Sequence, residues 1–354
     1  MTLLHKQPII KLLILKGADS LKVDIKFIAK KAGVSPSTVS RVMNNTKHVS
    51  SELREKVTAV IKQYNYLPNS MARGLILKKS CLIGVMTPNV SNSFHSKMIS
   101  AIEAEANKAG YNVIIANVHN DFEQQKNSYL SLCERQVDGI IMLHENTGEE
   151  LQQLQQCYTI PTVLAGIHVT DCKLPCVAID DQKAAQCAVE HLLKLGHKKI
   201  GGIFSDCHSL GTLRKQGYEA ALKSYDISLS TELTVFTECT IDGGVEAAKK
   251  LFSVSNPPTA IFCVSDEIAI GAIDWLREIG YKIPEDISVI GFDDIVLAKV
   301  FRPRLTTVHQ PIEEIGKNAT QLLLKLMEHT ELQNEQILLP YKIIKRESCK
   351  ECRK

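Results

Sequence analysis

The segment that decides the fold of the first part of the chain is "AGVSPSTVSRVMNNTKHVS", residues 32–50. Ser35, followed by proline, predicts a helix start, because serine is favoured at the N-cap and proline at the first helical position. Val39, Val42 and Met43 have the spacing of one helix face that packs against a core. The apolar face is narrow, so packing explains only part of this helix.

The polar residues of the same helix also share a face. Ser37, Arg41 and Asn44 follow each other at i, i+4 and i+7. Upstream, residues 24–32 ("DIKFIAKKA") predict another short helix with an aspartate at its N-cap, and Gly33 suits the turn between the two helices. Two short helices joined in this way are typical of a helix-turn-helix unit, whose exposed groups bind phosphate oxygens and base edges. The alternative is an ordinary solvated surface helix.

The distribution of charge favours the nucleic-acid interpretation. Residues 20–80 contain 12 Lys and Arg and three acidic residues, a net charge of +9. Residues 1–19 carry +2 and the whole chain +3, so residues 81–354 carry −8. A basic head on an acidic body indicates a nucleic-acid partner for the head, whereas a solvated face does not need this asymmetry.

The 354 residues are enough for about three domains. No apolar run approaches the roughly 20 residues that span a bilayer, so no membrane partner is predicted. The 11 cysteines are odd in number and scattered singly, which is typical of reduced thiols in a cytoplasmic protein. Cys349 and Cys352 have metal-ligand spacing but no second pair completes a site, so we predict neither metal nor cofactor. Residues 1–20 are interpreted as an N-terminal extension or a mis-assigned start, since Lys11 interrupts their signal-like apolar run.

From Cys81 onward, short apolar strand patterns such as "CLIGVMTP" and "YNVIIANV" alternate with helical patterns. Such alternation predicts parallel α/β sheets, and two consecutive sets of strands predict two lobes. Neither a Ser-His-Asp arrangement nor a phosphate-binding glycine loop is present, so the sequence offers no catalytic site. The helices of this body are predicted over 94–109, 122–135, 182–195, 212–224, 243–253, 266–279 and 312–328.

The stretch "IAKKAGVSPSTVSRVMNNTKHVSSELREKVTAVIKQYNYLPNSMARGL" resembles the DNA-binding head of the lactose-repressor (LacI/GalR) family of bacterial transcription regulators. The match runs without a gap through the three helices of the head and the hinge segment, and it then continues through almost the whole chain. It implies an all-α helix-turn-helix head and a periplasmic-binding-protein-like α/β body of two doubly wound lobes. The chain would cross between the lobes three times, after "VAID", after "TTVHQ" and in residues 332–338. The implied domains are a helix-turn-helix domain at 21–66, a hinge helix at 67–80 and an effector-binding and dimerisation domain at 81–354.

The resemblance also implies residue roles in DNA binding. The hinge helix would form on DNA, with Leu75 as the side chain that enters a central base step of the minor groove. A helix of about two turns is marginal on its own, and Gly74 weakens it further. The residues expected at the DNA are Ser35, Ser37, Thr38, Ser40, Arg41, Asn44, His48, Asn69, Ala72 and Leu75.

A small polar effector is expected between the lobes. Arg214 in "LRKQGYEAAL" matches a family arginine that reaches into the cleft, where paired donors bind hydroxyls or a carboxylate. Asp293 in "VIGFDD" ends a predicted strand at the cleft mouth. The alternatives are a surface ion pair for Arg214 and an N-cap carboxylate for Asp293. The effector-binding set implied by the resemblance is Phe94, His95, Arg214, Ser265 and Asp293.

Four departures from the family pattern argue against a standard sugar ligand. Ser265 replaces an asparagine whose amide often binds sugar hydroxyls, and Cys239 replaces an aromatic that stacks on the effector. Gly166 replaces a common aspartate, and His95 replaces the second of two paired aromatics. The class of the effector, a sugar or a nucleoside among others, therefore stays open.

The expected function is therefore regulation of transcription by a cytoplasmic homodimer that acts as a repressor. No enzymatic activity is expected. It would bind a pseudo-palindromic double-stranded DNA operator, and its small-molecule effector would control that affinity. The alternative is a cytoplasmic small-molecule binding protein whose head no longer reads DNA. We expect a dimer and not a tetramer, since "SCKECRK" after Glu347 contains no apolar heptad.

Overall fold

The chain forms two compact units, Met1–Lys78 and Lys79–Lys354, which are described separately. The first is the head and the second the body. The computed structural model describes residues 23–43, 49–66, 79–118, 121–143, 153, 160–168, 174–205, 210–328 and 335–352.

The described residues of the head form three short helices, α1 (Ile25–Ala32), α2 (Pro36–Met43) and α3 (Ser51–Gln63). Asp24 caps α1, because its carboxylate accepts a hydrogen bond from Phe27 N at 2.8 Å. Gly33 ends α1 with φ +65°, a left-handed conformation that favours glycine. The predicted helix-turn-helix geometry is therefore confirmed. The three helices share a small core whose buried members are Ile28, Ala29, Ala32, Val39, Val42 and Val57.

The first lobe of the body is built on a parallel six-stranded sheet in the order β11-β5-β4-β3-β1-β2. Its inner strands are uniformly buried, as expected for a sheet covered by helices on its faces. Three helices of this lobe lie fully within the described residues: α4 (Ser93–Lys108), α5 (Phe122–Glu134) and α11 (Ile312–Glu328). The strands are β1 (Leu82–Thr87), β2 (Asn112–Asn117), β3 (Gly139–Met142), β4 (Thr162–Ala165), β5 (Cys176–Ala178) and β11 (Gln336–Leu338).

The second lobe repeats this plan in the order β12-β10-β9-β8-β6-β7, with only β12 antiparallel to its neighbour. Its strands are β6 (Ile200–Ser205), β7 (Thr234–Thr237), β8 (Ala260–Cys263), β9 (Ser288–Asp293), β10 (Thr306–His309) and β12 (Lys342–Ile344). Its helices are α6 (Asp181–Lys194), α7 (Leu210–Ser224), α8 (Ile241–Leu251), α9 (Asp266–Glu278) and the short α10 (Val296–Val300).

The chain passes between the lobes three times in the described body. The first two passages, between β5 and α6 and between β10 and α11, lie where the sequence placed them. The third lies at residues 339–341, just after the predicted 332–338, because β11 pairs with β5 in the first sheet. The two-lobed α/β prediction is confirmed, and the carboxyl ends of both sheets' strands are where a ligand cleft is expected. No described helix is both long and apolar enough to cross a membrane.

Candidate functional site

The start of α2 carries a cluster of three hydroxyl groups. Ser35 Oγ accepts a hydrogen bond from Thr38 N at 3.2 Å and lies 2.7 Å from Ser37 Oγ and 2.9 Å from Thr38 Oγ1. Ser35 therefore serves as the cap of α2 besides being exposed. Ser37 and Arg41 are exposed on this helix, and Thr38 and Ser40 are partly so. Four of these predicted DNA contacts lie on α2 and the fifth, Ser35, caps it, so all five share one accessible polar segment.

Other head residues hold α2 in place. Arg54 on α3 donates to the Val42 carbonyl at 3.4 Å, near the end of α2. Phe27 and Tyr64 pack edge to face with centroids 5.1 Å apart, and the Lys31 ammonium lies 5.6 Å and 5.9 Å from the two centroids. Three helices tied in this way present α2 rigidly, which suits recognition of a groove. The predicted contacts Asn44, His48, Asn69, Ala72 and Leu75 lie outside the described residues.

In the body, Arg214 and Asp293, both expected at the cleft from the resemblance, lie close together. Arg214 Nη1 lies 3.5 Å from Asp293 Oδ1, while Arg214 Nε donates to Asp181 Oδ1 at 2.8 Å. The guanidinium also donates to the Val264 carbonyl and lies 3.8 Å above the Phe292 ring. Arg214 is only 5% exposed, so its ion pairs are buried and the alternative of a surface pair is wrong.

Asp293 ends β9, and its carboxylate accepts from Gln310 Nε2 at 2.8 Å, a side chain on the second passage between lobes. No helix amide is bonded to this carboxylate among the described residues, so it does not act as an N-cap. Burial raises the pKa of Asp293 to about 7, against the opposing effects of Arg214 and Gln310. Arg214 itself keeps a raised pKa, since Asp181 and Asp293 outweigh its burial. The cluster therefore holds a permanent cation beside a carboxyl group that titrates near neutrality.

Two acceptor atoms of this cluster have no hydrogen-bond partner among the described residues. Asp181 Oδ2 and Gln310 Oε1 are buried, and no described group donates to either of them. Their residues are 2% and 1% exposed. Buried acceptors left in this state are costly, and a bound molecule that donates hydrogen bonds would satisfy them.

Ser265 and Asp266 have structural roles. Ser265 Oγ accepts from Ile268 N at 3.3 Å and so caps α9. Asp266 is fully buried, accepts from Thr307 Oγ1 at 2.6 Å and from Ile295 N at 2.9 Å, and its pKa is raised well above the usual value by burial. The predicted effector residue Ser265 follows Val264, whose carbonyl binds Arg214, and its hydroxyl oxygen accepts from its own helix, which leaves the O–H as the group that can still donate.

Phe94 and His95 lie in the other lobe, in the first turn of α4. Phe94 is 8% exposed and packs in the core, where its ring and Met98 occupy the space that a side chain at Gly166 would need. Gly166 also has φ +76°, a backbone conformation that favours glycine, so a longer side chain at position 166 would be both crowded and strained. Burial lowers the pKa of His95 to about 4, and its Nδ1 atom has no hydrogen-bond partner in the described part of the chain.

Asp181 and Gln310 belong to the cluster but are not among the site residues predicted from the sequence. Each lies at a passage between the lobes, and those passages were predicted. A polar side chain at such a passage could therefore have been predicted as a cleft residue. Cys349, half of the cysteine pair, donates to the Val289 carbonyl, and burial raises its thiol pKa to about 12. No group of three or more His, Cys, Asp or Glu side chains in the described part of the chain is arranged to hold a metal ion.

Known proteins share both parts of this architecture. Residues 24–69 match the model for bacterial regulatory proteins of the lacI family, and residues 189–349 match that of a periplasmic binding protein-like domain. The chain is 36% identical over 326 residues to catabolite control protein A of Staphylococcus epidermidis, covering 91% of this chain and 98% of that protein. The chain belongs to the lacI family. As a member of the lacI family it is a DNA-binding transcriptional regulator with an effector-binding body, and not an enzyme.

Solved structures agree with this assignment. The lac repressor dimer bound to operator and the anti-inducer ONPF is similar with a TM-score of 0.86 at 28% identity, covering 93% of this chain and 99% of that one. The complex of the transcriptional regulator CelR with cellobiose gives 0.70 at 26% identity, covering 92% and 99%. The predicted family, fold class and regulatory function are confirmed, whereas the individual site residues stay predictions.

Proposed function

We propose that this lacI-family regulator is a cytoplasmic repressor that binds a pseudo-palindromic operator as a homodimer. One α2 helix would read each half-site, with Ser37 and Arg41 at the bases or phosphates. The hinge at 67–80, with Leu75 in the minor groove, would complete the contact. A small molecule bound between the lobes of the body would control operator affinity.

The proposal that the body binds a small molecule rests on the buried Arg214 cluster and its two unsatisfied hydrogen-bond acceptors. Asp181 Oδ2 and Gln310 Oε1 call for hydrogen-bond donors. The charge of Arg214 is already balanced by the buried Asp181 carboxylate, so an anion would find no unpaired positive charge at Arg214. A neutral molecule rich in hydroxyl or amino groups fits best, and the cellobiose complex of CelR supports a polyhydroxyl ligand.

The homodimer is supported by an exposed apolar surface on α10. Val296 and Val300 are 63% and 59% exposed, and Leu297 is 38% exposed beside them. Three large apolar side chains on one short helix favour an interface rather than contact with water. The lac repressor structure is itself a dimer, which supports a second copy of this chain as the partner.

DNA binding is tested first with the wild-type protein. Fluorescence anisotropy at moderate salt should show tighter binding to the protein's own promoter region than to random DNA. Equal affinity for both would favour the alternative, a binding protein with a non-reading head. A thermal-shift screen of sugars and nucleosides then finds the effector, because a ligand that binds only the folded state raises the melting temperature.

The cleft is tested by Arg214→Lys, which keeps the charge but loses the fork of donors. We expect this variant to bind operator while its response to the effector falls about tenfold or more. Arg304→Lys is the matched control, because Arg304 forms an exposed ion pair with Glu347 on the same lobe. A wild-type effector response in Arg214→Lys would remove Arg214 from the site.

A further inference from the structure

A carboxylate of one lobe binds the first turn of a helix in the other. Glu267, on α9 of the second lobe, accepts from Asn92 Nδ2 at 3.0 Å and from Ser93 N at 3.1 Å. Asn92 and Ser93 begin α4 of the first lobe. We name this contact between Glu267 and the start of α4 the lobe clasp.

The lobe clasp is well placed to be strong. Asn92 Oδ1 caps α4 by accepting from Phe94 N at 3.0 Å and from His95 N at 3.2 Å, which fixes its amide group so that Nδ2 points to Glu267. The Ser93 amide is one of the helix-start donors that lack a partner within their own helix. A negative charge at this end of a helix is also favoured by the helix dipole. The second lobe thus supplies a partner that α4 does not provide for itself.

The clasp is joined to the proposed effector cluster through the chain. Asp266, next to Glu267, is held by Thr307 Oγ1 and Ile295 N, so the backbone at the start of α9 is anchored within its lobe. Glu267 is near enough to Asp293 for its charge to contribute to the raised pKa of that group. The clasp therefore lies beside the Arg214–Asp293 cluster and contacts the turn that carries Phe94 and His95.

We propose that Glu267 is the positioning residue that holds the two lobes in their present arrangement, and that it thereby sets operator affinity in the absence of ligand. Neither Glu267 nor Asn92 belongs to the predicted effector set. Breaking the clasp removes two hydrogen bonds to a charged group and so favours separation of the lobes. The expected change in lobe separation is independent of the proposed function, whereas the expected change in operator affinity rests on it.

A pair of reciprocal substitutions tests the clasp. Asn92→Asp keeps the cap of α4 but places a carboxylate against Glu267, so it should break the clasp by repulsion. Glu267→Gln removes the charge and sets two amide groups against each other, so it should weaken the clasp less. In the double variant the glutamine amide donates to the aspartate and its oxygen still accepts from Ser93 N. The double variant should therefore recover the wild-type lobe separation and operator affinity. If the two side chains only stabilised their own lobes, combining the substitutions would not restore either property.

Lobe separation is measured by pulsed electron paramagnetic resonance in full-length dimers diluted with unlabelled chain. Spin labels are attached through a non-cysteine residue at exposed positions Gln124 and Asp242, in the first turns of α5 and α8 on opposite lobes. We expect a longer and broader distance distribution for Asn92→Asp, a smaller change for Glu267→Gln and the wild-type distribution for the double variant. Glu278→Gln, an exposed charge change on the same helix, is the matched control and should change nothing.

Operator affinity is measured on the same variants without effector. Asn92→Asp should change it about tenfold or more, since a single hydrogen bond to a charged group already contributes about that factor, and the double variant should restore it. The sign of the change identifies which arrangement of the lobes binds DNA.

Unchanged distances in Asn92→Asp, or no recovery in the double variant, would overturn the proposal. Changed distances with unchanged operator affinity would overturn its regulatory part. If the wild type does not bind its promoter, the proposed function fails, and the distances still decide whether the clasp exists.

Discussion

The buried carboxyl group of Asp293 makes the stability of the body depend on pH. Its pKa is raised from 3.8 to about 7, so between these values the folded state binds more protons than the unfolded state. Stability should therefore fall as pH rises from about 4 to about 7, by at most about 1.4 kcal/mol per pH unit for one group. Asp293→Asn keeps an oxygen for Gln310 and removes this titration. Melting temperatures of the two proteins across this window should converge towards low pH, and parallel curves would contradict the raised pKa.

Arg41 is the residue of α2 best suited to read a base, because an exposed guanidinium can bind guanine with two hydrogen bonds. Arg41→Ala should cost about 1–3 kcal/mol on the operator and relax the preference between operator variants. Lys47→Ala is the matched control, and it should weaken binding to all sequences nearly alike. Anisotropy titrations with operator and random DNA separate the two outcomes. An equal loss on both DNAs for Arg41→Ala would show that it contacts phosphate only.

Glycines allow the helices of the second lobe to pack closely. A Cβ atom at Gly271 of α9 would overlap the Ile241 carbonyl of α8, and one at Gly244 of α8 would overlap the Ile268 carbonyl of α9. Gly271→Ala should therefore destabilise the body by about 1–3 kcal/mol, although alanine is the better helix former. Ser100→Ala, at an exposed position in α4, is the control and should be neutral or slightly stabilising. Urea denaturation of both variants measures the difference, and a Gly271→Ala protein as stable as wild type would contradict this packing.

The helices and inner strands of the body could be predicted because each has a strong local pattern. The helix predicted at 266–279, for example, is observed as Asp266–Glu278, and the one at 312–328 as Ile312–Glu328. The short α10 was not predicted, since five residues carry too little periodicity. The third passage between lobes was placed slightly early because β11, only three residues long, is defined by its pairing with β5 and not by its own sequence.

The site was predictable only in part, for a related reason. Arg214 and Asp293 were identified through the resemblance and lie 3.5 Å apart. Asp181 and Gln310 complete the cluster from two different passages between lobes, and no spacing in a single sequence shows that such residues meet. The role of Ser265 as a cap of α9 likewise depends on where the helix begins, which local patterns determine least reliably.

The assembly of the whole molecule gives the last prediction. If α10 contacts a second copy, Val300→Glu should place a charge in an apolar interface and dissociate the dimer, because a buried unpaired charge is costly. Val300 is 59% exposed in the single chain, so the variant should still fold. A monomer has one α2 helix where the dimer has two, and it should therefore lose most operator affinity through the loss of linked binding.

Leu229→Glu, at a 55% exposed position elsewhere on the second lobe, controls for the added charge and should remain dimeric. Light scattering at micromolar concentration measures both proteins, and a dimeric Val300→Glu with intact operator affinity would move the interface away from α10.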